Sequence, residues 1–204
     1  MCRRFLAIVA FTILGIVAWR SGAGAGSPHP PAISDGGYVG YPASARSGVA
    51  SVDFIPEAVE EGNVGSLADA VRYEQIPCGV PNRVPSSPAC LPGEPEGTRV
   101  KALRVSAGAC SYDYFRPKQV TDALADFLGF RGRLYAAGRS RSGQPWTIDV
   151  LFVRQAGGEA LSPQIKVDNA GRIRGIVLMG ACATPRDVAS EWVGPYLLGP
   201  RTRR

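Results

Sequence analysis

Asp149 is the only acid in the apolar run WTIDVLFVR. In an extended chain it shares a face with Thr147, Leu151 and Val153, while Trp146, Ile148, Val150 and Phe152 take the other. A carboxylate buried at that position could serve as a general base. The bland alternative is an ion pair with Arg133, Arg172 or Arg174 from a neighbouring strand, or a solvated face, since structural pairs perturb pKa values as catalytic ones do. Histidine chemistry is disfavoured, because the single histidine, His29, stands in a Gly/Pro/Ser-rich stretch that gives acid-base catalysis no fixed geometry. Neither a GxSxG elbow nor a GxxxxGK phosphate loop occurs. Tyr112, Tyr114 and Tyr135 are a possible aromatic group, and such groups serve more often as core than as ligand box. The catalytic set beyond Asp149 is therefore unknown, and so are the ligand-binding residues.

Of the five cysteines, Cys2 goes with the N-terminal segment, and the other four carry the remaining chemistry. Cys78 and Cys90 bracket a turn-rich segment in which Pro81, Pro85 and Pro88 exclude a helix or central strand. A bridge between them would tie down this excursion and remove denatured-state entropy worth roughly 3 kcal/mol. Cys110 and Cys182 complete an even set, for which three pairings are possible; Cys78 with Cys90 and Cys110 with Cys182 is preferred, the first being local and the second joining the start of the strand-rich region to its end. Their spacing is unlike paired zinc knuckles. Glu94 and Glu96 match no calcium loop, so no metal and no cofactor is expected.

The cysteine reading depends on compartment. Arg3 and Arg4 precede an apolar run from Phe5 to Trp19, followed by the small residues Ala23-Gly24-Ala25, which reads as an export signal over residues 1–25. An uncleaved anchor is the rival, and the run is shorter than the roughly 20 apolar residues a spanning helix needs. Export delivers the chain to an oxidising compartment, extracellular, periplasmic or on the outer membrane face, where thiols pair. Of 23 basic residues, three fall in the signal and three, Arg201, Arg203 and Arg204, in a basic tail over 201–204, so residues 26–200 balance 17 acids with 17 bases. A neutral body is no footprint for nucleic acid. Membrane contact is expected only through an uncleaved N-terminal segment, and the sequence names no partner.

The elements that position these residues follow in order. Residues 26–50 are rich in Gly, Pro, Ser and Ala and read as a disordered tether. A single α+β domain is expected over 51–200. It opens with a helix capped by Ser51, with Phe54, Ile55, Ala58 and Val59 on one face, and a second capped by Ser66 with Asp69 three residues on. After the cysteine loop, Arg99 to Val105 reads as a strand and Ser111 to Phe115 as a short one. Pro117 starts a helix to about Leu128 with Val120, Ala123, Leu124 and Phe127 facing the core. Strands follow over 133–139, 146–154, 164–168 and 172–179, and Thr184-Pro185 opens a last helix reaching Trp192.

Two helices, a strand, a helix and a meander resemble the layout of the cone-shaped NTF2-like and cystatin-like folds. That resemblance implies N-terminal helices on one face of a curved antiparallel sheet, with a pocket between sheet and helices. The segments LADAVRYEQIPCG and PACLPGEPEGT are similar to those of uncharacterised exported bacterial proteins, which implies no known activity. The expected function is an exported, non-catalytic binding or accessory module. A histidine-free enzyme of isomerase or dehydratase type using Asp149, or a membrane-tethered structural protein, is the alternative.

Overall fold

A computed structural model of the chain describes residues 38–79, 87–106, 112–141, 148–156, 159–178 and 184–201. Helix α1 (Ala50–Glu61) buries Val52, Ile55, Pro56 and Ala58 and stops where Gly62 turns left-handed at φ 67°. Its cap is Val49 rather than Ser51. The start is pinned instead by the Asp53 carboxylate, which accepts from the Ser47 amide and hydroxyl, both at 2.6 Å, and from the Gly48 amide at 3.1 Å. Helix α2 (Val64–Asp69) begins at Asn63, whose side chain accepts from the amide of Ser66, so Ser66 is the capped residue and not the cap.

Helix α3 (Pro117–Gly129) matches its periodicity: Pro117 sits at the first position and Val120, Ala123, Leu124 and Phe127 are buried. Helix α4 (Pro185–Ser190) is held by a reciprocal cap between Thr184 and Asp187. It ends sooner than its sequence suggests, because Trp192 already belongs to a strand.

Among the described residues the strands are β1 (Glu74–Pro77), β2 (Arg99–Ser106), β3 (Asp113–Phe115), β4 (Arg133–Ser140), β5 (Ile148–Ala156), β6 (Glu159–Leu161), β7 (Gln164–Val167), β8 (Ile173–Val177) and β9 (Trp192–Leu198). They form one sheet in the order β1-β2-β8-β7-β5-β4-β9, with β3 added to β2 and β6 to β5. The sheet is mixed and curved, not wholly antiparallel: β2 and β8 run parallel, with Val105 opposite Ile176. No hairpin joins these two strands, so their relative direction is left to the intervening chain. Register shifts between Leu134 and Ala136, and between Ala137 and Arg139, bend β4.

Both faces of β5 are buried. Ile148, Val150 and Phe152 join one hydrophobic cluster with Ile55 of α1, Leu67 of α2 and Leu124 and Phe127 of α3. Leu151 and Val153 join a smaller one with Tyr135, Ala136, Ala189 and Trp192. The two-residue alternation read from the sequence is therefore present, with apolar cover on each side. Each large side chain so buried contributes roughly 1.5–3 kcal/mol.

The described end of the 26–50 stretch is held in place. The Tyr41 amide donates to the Leu134 carbonyl, the Val39 amide donates to the Arg201 carbonyl, and the Tyr38 ring meets Tyr135 edge-on at 5.6 Å. One backbone bond to β4, one to Arg201 and the ring contact hold residues 38–41, and the start of the stretch lies outside the described residues. The signal read over residues 1–25 lies outside the described residues, and no described helix is long and apolar enough to cross a membrane.

Candidate functional site

Register decides the fate of Asp149. It stands directly opposite Lys166 of β7. The Lys166 Nζ donates to Oδ1 at 3.1 Å and the Trp192 indole Nε1 donates to Oδ2 at 3.2 Å, so both carboxylate oxygens are engaged. The side chains of Asp149 and Lys166 are 5% and 12% exposed. The expected arginine partners are elsewhere: Arg174 pairs with Glu74 at 3.4 Å, while Arg133 and Arg172 are exposed. Trp192 reaches Asp149 because Gly138 leaves room, since a Cβ there would lie 2.0 Å from the indole Cε3. The carboxylate thus belongs to the smaller cluster's side of the sheet, where the Trp192 side chain meets it.

The three tyrosines do not form one group. Tyr112 lies under the Arg104 guanidinium at 3.8 Å, and Tyr114 pairs across strands with Arg104. Tyr135 is fully buried against Tyr38, and its hydroxyl has no hydrogen-bond partner among the described residues. Burial pushes its pKa up.

Cys78 and Cys90 form a disulfide, with Cα atoms 5.0 Å apart, whereas Cys110 and Cys182 lie outside the described residues. Beyond the bridge, Glu94 makes a two-pronged ion pair with Arg116, which also donates to the Ala89 carbonyl. The guanidinium hydrogen bond, then the Leu91 amide, hold the Glu94 carboxyl below its usual range. Glu94 is thereby committed to clamping the stapled loop onto the start of α3. Among the described residues no group of three or more His, Cys, Asp or Glu side chains converges on one point.

A cleft of about 390 Å³ opens elsewhere, between residues 41–43, α1 and the paired ends of β4 and β5. Pro42, Pro56, Val59, Leu134 and Phe152 supply apolar walls, with Glu60 lining it from α1 and Arg133 from β4. Tyr41 is fixed at its margin by donating its hydroxyl to the Gly199 carbonyl at 2.7 Å, with Arg201 over its ring at 5.1 Å. Asp149 does not line this cleft. The only carboxylate that does, Glu60, is exposed and has no orienting hydrogen bond among the described residues, which suits binding better than proton transfer. The site is hard to see in the sequence because one wall comes from residues 41–43, inside a segment whose composition is that of a tether. The sole signal was the pair Tyr41-Pro42, an aromatic and a rigid residue amid small ones.

No protein-family model, no curated protein and no solved structure matches the chain.

Proposed function

We propose that the protein is an exported, non-catalytic binding or accessory module whose ligand occupies the cleft between α1 and the β4–β5 end of the sheet. The observation that carries this reading is the separation of the two features: Glu60, the carboxylate lining the cleft, has no orienting hydrogen bond among the described residues, and the buried acid Asp149 has both oxygens taken by Lys166 and Trp192. The cleft's size is that of a small-molecule site. Export is supported by the Cys78–Cys90 disulfide, which favours an oxidising compartment, together with the arginine-led apolar run at the N-terminus. An NTF2-like or cystatin-like arrangement is supported by the element order and by a cleft bounded by a helix on one side and strands on the other. It supplies no activity by itself.

The test is uptake of an apolar reporter dye, 1-anilinonaphthalene-8-sulfonate, by the full chain. One saturable site is expected in the wild type and none in Val59→Trp, which fills the cleft, provided both show the same circular dichroism. Equal uptake by the two proteins, or uptake by neither, sinks the reading.

A further inference from the structure

The two walls of the cleft carry opposite charge. Glu60 lines it from the last turn of α1, and Arg133 from the first residue of β4. Both are exposed, and neither makes an ion pair or side-chain hydrogen bond with another described residue, although they border the same space. The stem of Arg133 is confined by backbone: a Cβ on Gly40 would lie 2.3 Å from the Arg133 Cβ. Pro56, Val59, Leu134 and Phe152 give the same cleft its apolar surface.

This combination selects a ligand by charge pattern. A purely anionic molecule pairs with Arg133 but meets Glu60 as a like charge, and a purely cationic one pairs with Glu60 but meets Arg133; each therefore enters the cleft more weakly than a molecule that satisfies both. A neutral apolar molecule leaves both charges to be desolvated without compensation. Resting on the binding reading above, we propose that the cleft takes a small zwitterion with an apolar body, its carboxylate on Arg133 and its ammonium on Glu60. Apolar amino acids and their short peptides are two sources of that chemistry. A volume of about 390 Å³ is near the lower end of the ~300–1,000 Å³ typical of small-molecule pockets, so the ligand is small.

The experiment is an amide-shift titration of the full chain with L-phenylalanine and its dipeptide, beside 3-phenylpropanoate and 2-phenylethylamine, which each keep one charge. At least one zwitterion is expected to bind about tenfold or more tighter than both single-charge analogues, the difference one charge-assisted hydrogen bond makes. Which zwitterion binds better identifies the source. Glu60→Gln is expected to reduce zwitterion affinity to that of the acid, and Arg133→Gln to that of the amine; both positions are exposed, so the fold tolerates them. A single-charge analogue that binds as tightly as the zwitterions, or the absence of shifts with all four, overturns the proposal. If the naphthalene dye still enters the wild type and not Val59→Trp in the same samples, that failure removes the ligand class and leaves the binding reading standing. Loss of dye uptake as well removes both.

Discussion

Asp149 shows how one position reads differently once its neighbours are known. The alternation of WTIDVLFVR places it on an inward face, and there it is nearly inaccessible. Its partner was not legible, because Lys166 comes opposite only through the register of β7 on β5, which side-chain pattern alone does not fix. Removing one member of a buried pair strands the other, so Asp149→Ala is expected to lower unfolding free energy by about 3–5 kcal/mol, read from urea denaturation. Replacing both, as Asp149→Leu with Lys166→Met, is expected to cost less than the single change. A near-neutral Asp149→Ala would show that the pair contributes little. At Gly171 the backbone itself is the constraint: φ is 75° and a Cβ would lie 2.7 Å from the Ser51 carbonyl oxygen. Gly171→Ala is therefore expected to cost at least about 1 kcal/mol, whereas Gly93→Ala, left-handed but open, suffers only the dihedral strain. Comparing the two denaturation curves separates close approach from conformation.

Among the elements, α3 was the most legible, since its proline start and apolar spacing agree with each other and with the burial observed. Strand β9 was the least. Gly194 and Pro195 are breakers in isolation, yet β9 is an edge strand whose register shifts against β4, and an edge can leave a proline nitrogen unpaired. The stapled loop was legible as a cysteine-bounded excursion, but not its clamp, because Arg116 and Glu94 are far apart in sequence. The clamp has a pH signature. Glu94 titrates below its usual range in the folded protein, so its contribution is present above the ordinary carboxylate pKa and is lost as pH falls through the depressed value. The Arg116 side-chain N–H chemical shifts are expected to stay constant as pH falls through the ordinary carboxylate range and to move only below it. Arg116→Gln is expected to return the Glu94 carbonyl-carbon titration towards the ordinary range. An unchanged midpoint in that variant would rule out the guanidinium as the cause.

For the molecule as a whole, the α+β class was legible from the switch between helical and alternating periods, whereas the mixed sheet was not. Strand direction between β2 and β8 depends on about seventy intervening residues, and no local pattern encodes it. The second apolar cluster shows a similar dependence, drawing Tyr38 from one end of the described chain and Ala189 and Trp192 from the other against the middle strands. A chain ending at Val167 lacks β8, α4 and β9, and with them the parallel neighbour of β2 and the part of the cover of Leu151 and Val153 that Ala189 and Trp192 supply. It is expected to melt without a cooperative calorimetric transition, while the full chain melts in one step. A sharp transition in the truncated chain would contradict this interdependence.

The parallel contact of β2 with β8 also imposes an order on biosynthesis. Because the strand at 99–106 has to wait for the strand at 173–177, the growing polypeptide holds an incomplete sheet until most of its length has been made, and closing so long a loop carries an entropic cost that delays collapse. Under the export proposed above, that delay is an advantage, since a prematurely compact front half would block passage through a narrow channel.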